Sequence, residues 1–142
     1  MLVPQEREYI IFDIDGTLAH MGDRSPFAWD KVDTDLPNVH VVKMAQVLSQ
    51  HGKIIVMSGR DSCCRDLTIA WLEKHNVPFF EVHMRAMNDS RKDSIIKKEL
   101  YEAKVKYRFN ILGVFDDRLQ VKRLWHELGL PLFGVGDPDA DF

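Results

Sequence analysis

Five short apolar runs, at 9–12, 53–57, 79–84, 111–115 and 132–135, alternate with segments of helical period, and that alternation leaves few folds open. The first helical segment, 39–51, carries Val39, Val42, Val47 and Leu48 on one stripe and stops at Gly52. A second, 63–75, is closed by Asn76 and Pro78. A third, capped by Ser90 or Asp89, runs to about residue 107, and a fourth, 117–128, ends at Gly129 before Pro131. Strands separated by helices of this length predict a mainly parallel five-stranded sheet covered on both faces. The expected fold is a Rossmann-like three-layer α/β/α sandwich. At 142 residues the chain suits one domain, 1–142, with one long irregular stretch at 19–38. A loop of that length inside a compact domain is usually functional.

In such a sheet, ligands bind beyond the carboxyl ends of the strands. The first strand runs into Asp13-Ile14-Asp15-Gly16-Thr17-Leu18, the second into Ser58-Gly59-Arg60, and the fourth into Asp116-Asp117-Arg118. Asp13 and Asp15, two positions apart, project to the same side of a continuing strand, and Gly16 lets the chain turn so that both face one pocket. Two carboxylates so placed can divide the work of phosphoryl transfer, one attacking phosphorus and the other handling the leaving-group proton. Ser58 and Gly59 offer a hydroxyl and backbone N–H groups of the kind that receive phosphate. Asp116 and Asp117 repel one another unless a cation or base stands beside them, and Mg²⁺ favours such carboxylates. The alternative for this pair is a solvated acidic helix start. Asp93 and Lys97, four apart, share a helix face, which by itself indicates no more than a surface ion pair.

Taken in order, Asp13/Asp15, Ser58, Lys97 and Asp116/Asp117 resemble the four successive motifs of the haloacid dehalogenase superfamily, whose members mostly hydrolyse phosphate esters through an aspartyl-phosphate with Mg²⁺. The resemblance implies roles for each. Asp13 would be nucleophile and Asp15 acid, Ser58 the phosphate hydroxyl and Lys97 the neutralising cation. Asp13, Asp15 through its backbone, Asp116 and Asp117 would hold the metal. A narrower likeness joins Asp13 to Met21, Asp33 to Asp35, Val56 to Arg60, Asp89 to Asp93 and Asp116 to Val121. These segments are similar to the phosphatase half of phage polynucleotide kinase-phosphatases. That likeness adds Thr17, Arg24, Asp35, Gly59, Arg60, Arg85, Asp93 and Arg118 to the substrate site. Arg24 and Asp35 would lie in the flap at 19–38, Arg60 and Asp93 would brace the site, and Arg85 and Arg118 would face the nucleotide. The short flap implies a minimal cap, open to a macromolecular end.

The expectation is therefore a Mg²⁺-dependent polynucleotide 3′-phosphatase acting on 3′-phosphorylated DNA or RNA ends. The sequence contains no GxxxxGK[ST], so the chain is not expected to phosphorylate a 5′ end by itself; a separate 5′-kinase or ligase is among the partners the resemblance implies. Two other classes stay open: a phosphatase for a mononucleotide or other small ester, and a non-catalytic nucleic-acid-end-binding module. A net charge of −3 argues against a broad nucleic-acid-binding surface, so any polyanion must meet a local basic patch. No apolar run approaches a membrane span, and residues 1–8 lack a signal-peptide apolar core, so the cytosol is expected. Adjacent Cys63 and Cys64 cannot easily staple a fold, which agrees with a reducing compartment. The six histidines show no metal-ligand spacing. Among the tryptophans, Trp29 in the flap is the one placed to stack on a base.

Overall fold

A computed structural model describes residues 8–141. Residues 1–7, part of the segment read as lacking a signal peptide, lie outside the described residues. Strands β1 (Glu8–Phe12), β4 (Lys53–Asp61), β5 (Glu81–Arg85), β6 (Asn110–Asp116) and β7 (Leu132–Gly134) form one parallel sheet in the order β5-β4-β1-β6-β7. The chain leaves β1 for β4 on one side and later returns to β6 on the other. This reversal opens a crevice at the carboxyl ends of β1 and β6, where an open α/β sheet binds its ligand.

Strand periodicity builds two cores from one sheet. Ile10, Phe12, Ile54 and Val56 face one layer and pack with Val42, Ala45, Trp71 and Leu72 from α1 (Val39–Leu48) and α2 (Arg65–Lys74). Tyr9, Ile11, Ile55 and Met57 face the other layer. They meet Tyr101 of α3 (Asp93–Lys104) and Val121, Leu124 and Trp125 of α4 (Leu119–Glu127). The three-layer sandwich expected from the sequence is what forms. Among the described residues no helix is long and apolar enough to cross a membrane.

Several boundaries differ from the expected ones, each for a local reason. β4 continues past Met57 because its far end pairs with β5, Ser58 with Met84 and Asp61 with Arg85, across a register shift. Ser58, Gly59 and Arg60 thus sit within the strand and not after it. α3 begins at Asp93, because Lys92 is extended at ψ 144°, and residues 86–92 form a loop that borders the site. α4 begins at Leu119, since Arg118 is extended at φ −83°, ψ 126°, which removes Asp117 from any helix.

The flap is also more ordered than a bare loop. β2 (Ala19–His20) and β3 (Leu36–Pro37) pair antiparallel at its base, and Trp29–Thr34 form a 3₁₀ turn between them. Val32 enters the core from that turn, and Trp71 Nε1 donates to the Asp35 carbonyl at 2.8 Å, so the flap is fastened to α2.

Candidate active site

At the carboxyl ends of β1 and β6, Asp13, Asp116 and Asp117 are all buried, and each offers a carboxylate oxygen within 4.8 Å of the others. Lys97, itself 1% exposed, reaches them from the first turns of α3. Its Nζ donates to Asp13 Oδ1 at 2.7 Å and to Asp116 Oδ2 at 2.9 Å. Lys97 therefore belongs to the buried centre and is not the surface partner of Asp93. Trp125 Nε1 also donates to Asp116 Oδ2, at 3.1 Å, while Asp116 Oδ1 accepts the Asp117 N–H. Asp116 is thus saturated by protein donors. Asp117 accepts from Thr17 Oγ1 at 3.3 Å and shares a side-chain hydrogen bond with Asp13.

The electrostatics follow from three buried acids facing one ammonium. Burial and then the neighbouring Asp116 push the Asp13 carboxyl well above its usual range, with Lys97 pulling against them. Burial raises Asp117 as well. Burial works against the Lys97 charge, but Asp116 and Asp13 outweigh it and hold the ammonium protonated. With all three acids ionised, the centre carries two negative charges more than the Lys97 ammonium neutralises. That excess and the all-oxygen donor set fit a hard divalent cation, with Asp13 and Asp117 best placed to hold it and Asp116 supporting them.

Asp15 turns the other way. Its carboxylate accepts from Arg60 Nη2 at 2.8 Å and Nε at 3.0 Å, and from Arg24 Nη2 at 3.3 Å. Its side chain remains 36% exposed to the cavity. Two guanidinium groups thus hold the Asp15 side chain, and the metal contact expected of Asp15 is one through its backbone. Asp35, fully buried, binds both arginines, Arg24 Nε at 2.7 Å and Arg60 Nη2 at 2.7 Å. Thr68 on α2 completes the Arg60 fork at 3.1 Å. An Arg24–Asp35–Arg60 cluster thus fixes the orientation of Asp15.

The open cavity, about 760 Å³, is lined by Asp13, Asp15, Lys97, Asp116 and Asp117 at its base. Arg24, Gly59, Arg60, Arg85, Asp93 and Arg118 also reach its wall, as do flap residues Met21, Pro26, Phe27 and Trp29. Thr17, Ser58 and Asp35 lie behind that wall. Thr17 Oγ1 bridges Asp13 Oδ2 at 3.1 Å and Asp117, which places it as a support within the acid cluster. Ser58 is fully buried and its Oγ accepts the Arg60 N–H at 3.1 Å. Arg85, expected to face the nucleotide, reaches the cavity wall while its guanidinium is bonded to neighbouring groups. It donates to the Gly59 carbonyl at 2.7 Å, to the Asp89 carbonyl at 2.9 Å, to the Arg91 carbonyl and to Asp93 Oδ1 at 2.6 Å. Arg118 pairs with Asp93 Oδ2 at 3.1 Å and keeps 25% of its side chain exposed.

Sequence reasoning missed Trp125, Thr68, Trp71 and Phe27. The first three sit on helix patterns that read simply as core, and only the depth of the polar groups beneath them reveals their N–H and O–H roles. Phe27, 80% exposed on the flap, carries no motif signal.

Known proteins resemble this chain in sequence and fold. Residues 7–141 match the family described as the polynucleotide kinase PNKP phosphatase domain. A protein of Autographa californica nuclear polyhedrosis virus that bears the name bifunctional polynucleotide kinase/RNA ligase is 34% identical over 126 residues, 86% of this chain but 18% of the viral protein. Two structures, of a Pnkp1/Rnl/Hen1 complex and of the Pnkp1/Rnl/Hen1 RNA repair complex, each contain a chain 36% identical to this one, with TM-scores of 0.91. Both matches cover 96% of this chain, and it spans 47% and 44% of the chains matched. The D,D-heptose 1,7-bisphosphate phosphatase of B. bronchiseptica, at 12% identity over 92% of this chain and 83% of that one, shares the fold with a TM-score of 0.64. The chain belongs to the polynucleotide kinase PNKP phosphatase-domain family.

Proposed function

We propose that the chain is a single-domain, Mg²⁺-dependent polynucleotide 3′-phosphatase that clears terminal 3′ phosphates during nucleic-acid end repair. The observation that carries this reading is the pairing of a buried Asp13, held by Lys97, with an Asp15 oriented by Arg60 and Arg24, at the base of a wide cavity. Asp13 attacks phosphorus in line, the P–O3′ bond breaks, and Asp15 gives its proton to the departing ribose oxygen. Asp15, now a carboxylate, removes a proton from water, which hydrolyses the aspartyl-phosphate and frees inorganic phosphate and Asp13. The Lys97 ammonium offsets charge on the phosphoryl oxygens as well as on Asp13. The Ser58 hydroxyl, whose oxygen accepts the Arg60 N–H, is suited with the Gly59 N–H to a phosphate oxygen. A Mg²⁺ ion held by Asp13 and Asp117, with the Asp15 carbonyl, would supply further charge neutralisation at the same oxygens.

The relatives' names include kinase, ligase and repair-complex functions. Since ligation consumes a 3′-hydroxyl, which this reaction generates, a separate RNA ligase is the partner we infer. The adjacent free cysteines suit a reducing compartment such as the cytosol.

Two assays test the reading. Asp13→Asn and Asp15→Asn should each abolish turnover with the fold retained, and substantial activity in either variant would overturn the mechanism. Turnover of a 3′-phosphorylated oligonucleotide should exceed that of free 3′-nucleotide and glycerol phosphate. Equal efficiency on all three would make the protein a small-ester phosphatase instead.

A further inference from the structure

We propose that Phe27 is the platform on which the 3′-terminal nucleobase stacks, an inference that rests on the polynucleotide reading above. Phe27 is 80% exposed, yet it lies on the wall of the same cavity that holds Asp13 and Asp117. At about 760 Å³ that cavity has room for a nucleotide and not merely for a phosphate. Its phosphate end is charged, whereas the flap side is apolar: Phe27 is flanked by Met21, 41% exposed, and by Pro26. A terminal nucleotide has the matching polarity, a phosphate at one end and a flat apolar ring face at the other. Stacking a base on Phe27 would remove both surfaces from water.

The ring is held in place before any ligand arrives. Arg24 Nη1 donates to the Ser25 and Pro26 carbonyls at 3.2 and 3.4 Å, and the Ala28 N–H donates to the Ser25 carbonyl at 3.0 Å. Trp29 meets Phe27 edge-on, with centroids 6.2 Å apart and planes at 87°. Trp29 itself packs against the core, so it backs the exposed ring instead of serving as the stacking surface that its sequence position suggested. Because Arg24 also reaches Asp15 at 3.3 Å, one guanidinium ties the base platform to the proton-transferring acid. A phenyl face has no hydrogen-bonding groups, so the platform should accept all bases alike.

The test compares 3′-phosphorylated oligonucleotides whose last sugar carries a base with ones whose last sugar is baseless, for the wild type and for Phe27→Ala and Phe27→Trp. The wild type should favour the base-bearing end by roughly five- to 150-fold in kcat/KM. Phe27→Ala should erase that ratio and Phe27→Trp should keep it, with melting temperatures showing that both variants fold. An equal loss on both ends in Phe27→Ala, or a wild type indifferent to the terminal base, would overturn the proposal. A separate arm with glycerol phosphate and the wild type distinguishes the two levels: turnover matching the oligonucleotides would sink the polynucleotide reading itself.

Discussion

The Asp117 carboxylate fills the space where a side chain on Gly16 would begin: a Cβ there would stand 1.9 Å from Asp117 Oδ2. Gly16 also sits at φ +82°, a region that costs other residues about 1–2 kcal/mol. The glycine after the two acids is therefore required for β1 and β6 to bring their carboxylates together, beyond its use in the turn. Gly16→Ala should push Asp117 out of the cluster, weakening Mg²⁺ binding by at least an order of magnitude. Isothermal titration with Mg²⁺ would check this, and an unchanged affinity would mean that Asp117 is not a ligand.

Arg60 carries a larger structural burden. It is buried, and its fork joins Asp15 in the turn after β1, Asp35 on the flap and Thr68 on α2. Breaking a buried charge network of this kind typically costs about 3–5 kcal/mol, because a partner charge is left uncompensated. Arg24 would still reach Asp35 and Asp15 and would offset part of the loss. Arg60→Met should thus lower stability by about 2–4 kcal/mol in urea unfolding. A change below about 1 kcal/mol would show that Arg24 alone can neutralise Asp35.

Stability of the metal-free protein should respond to pH in opposite senses at two acids. Burial and Asp116 raise the Asp13 pKa above 3.8, so the folded state holds a proton that the unfolded chain has released. Its contribution is consequently lost as pH rises from 3.8 through the raised folded value. Burial also works against the Asp93 charge, but Lys97, Arg118 and Arg85 outweigh it and lower the pKa. Asp93 then contributes stability above the ordinary carboxyl range that disappears as pH falls through its depressed value. In chelator, Asp13→Asn should flatten the decline on the rising side and Asp93→Asn the loss on the acid side. Denaturation midpoints across pH would read both, and identical profiles for the two variants would contradict these charge assignments.

Much of this was legible in the sequence, because hydrophobic period marks the strands and three of them lead into the acids or the Ser58-Gly59-Arg60 segment. Asp13, Asp116 and Lys97 are brought together from positions distant in the chain, and only their order along it made that expectation possible. What local pattern hid was direction. Nothing in the residues near Arg85 distinguishes a guanidinium that faces ligand from one consumed by the Gly59, Asp89 and Arg91 carbonyls. The start of α3 was misplaced for a related reason: Asp89 and Ser90 are good capping residues, but residues 86–92 are held as a loop by bonds to Arg85 and Asp61. Likewise, Phe27 is exposed while Val32 and Trp29 of the same flap pack into or against the core.

That difference between the two arginines yields the sharpest kinetic contrast. Arg85 braces the loop 86–92 and Asp93 from within, so Arg85→Ala should disturb the site whatever the substrate, lowering kcat/KM on an oligonucleotide and on glycerol phosphate by similar factors. Arg118 borders the cavity with a quarter of its side chain exposed and shares Asp93 through the other carboxylate oxygen. It is the better placed of the two for a phosphate farther along the strand. Arg118→Ala should therefore cost roughly tenfold more on the oligonucleotide than on glycerol phosphate. It should also reduce the log–log salt slope of oligonucleotide turnover by about 0.7, the contribution of one neutralised phosphate on a single strand. Measuring kcat/KM for both variants on both substrates between low and moderate salt separates the roles. If Arg85→Ala, and not Arg118→Ala, shows the selective and salt-dependent loss, then the internal bonds of Arg85 open when nucleic acid binds and it is Arg85 that meets the strand.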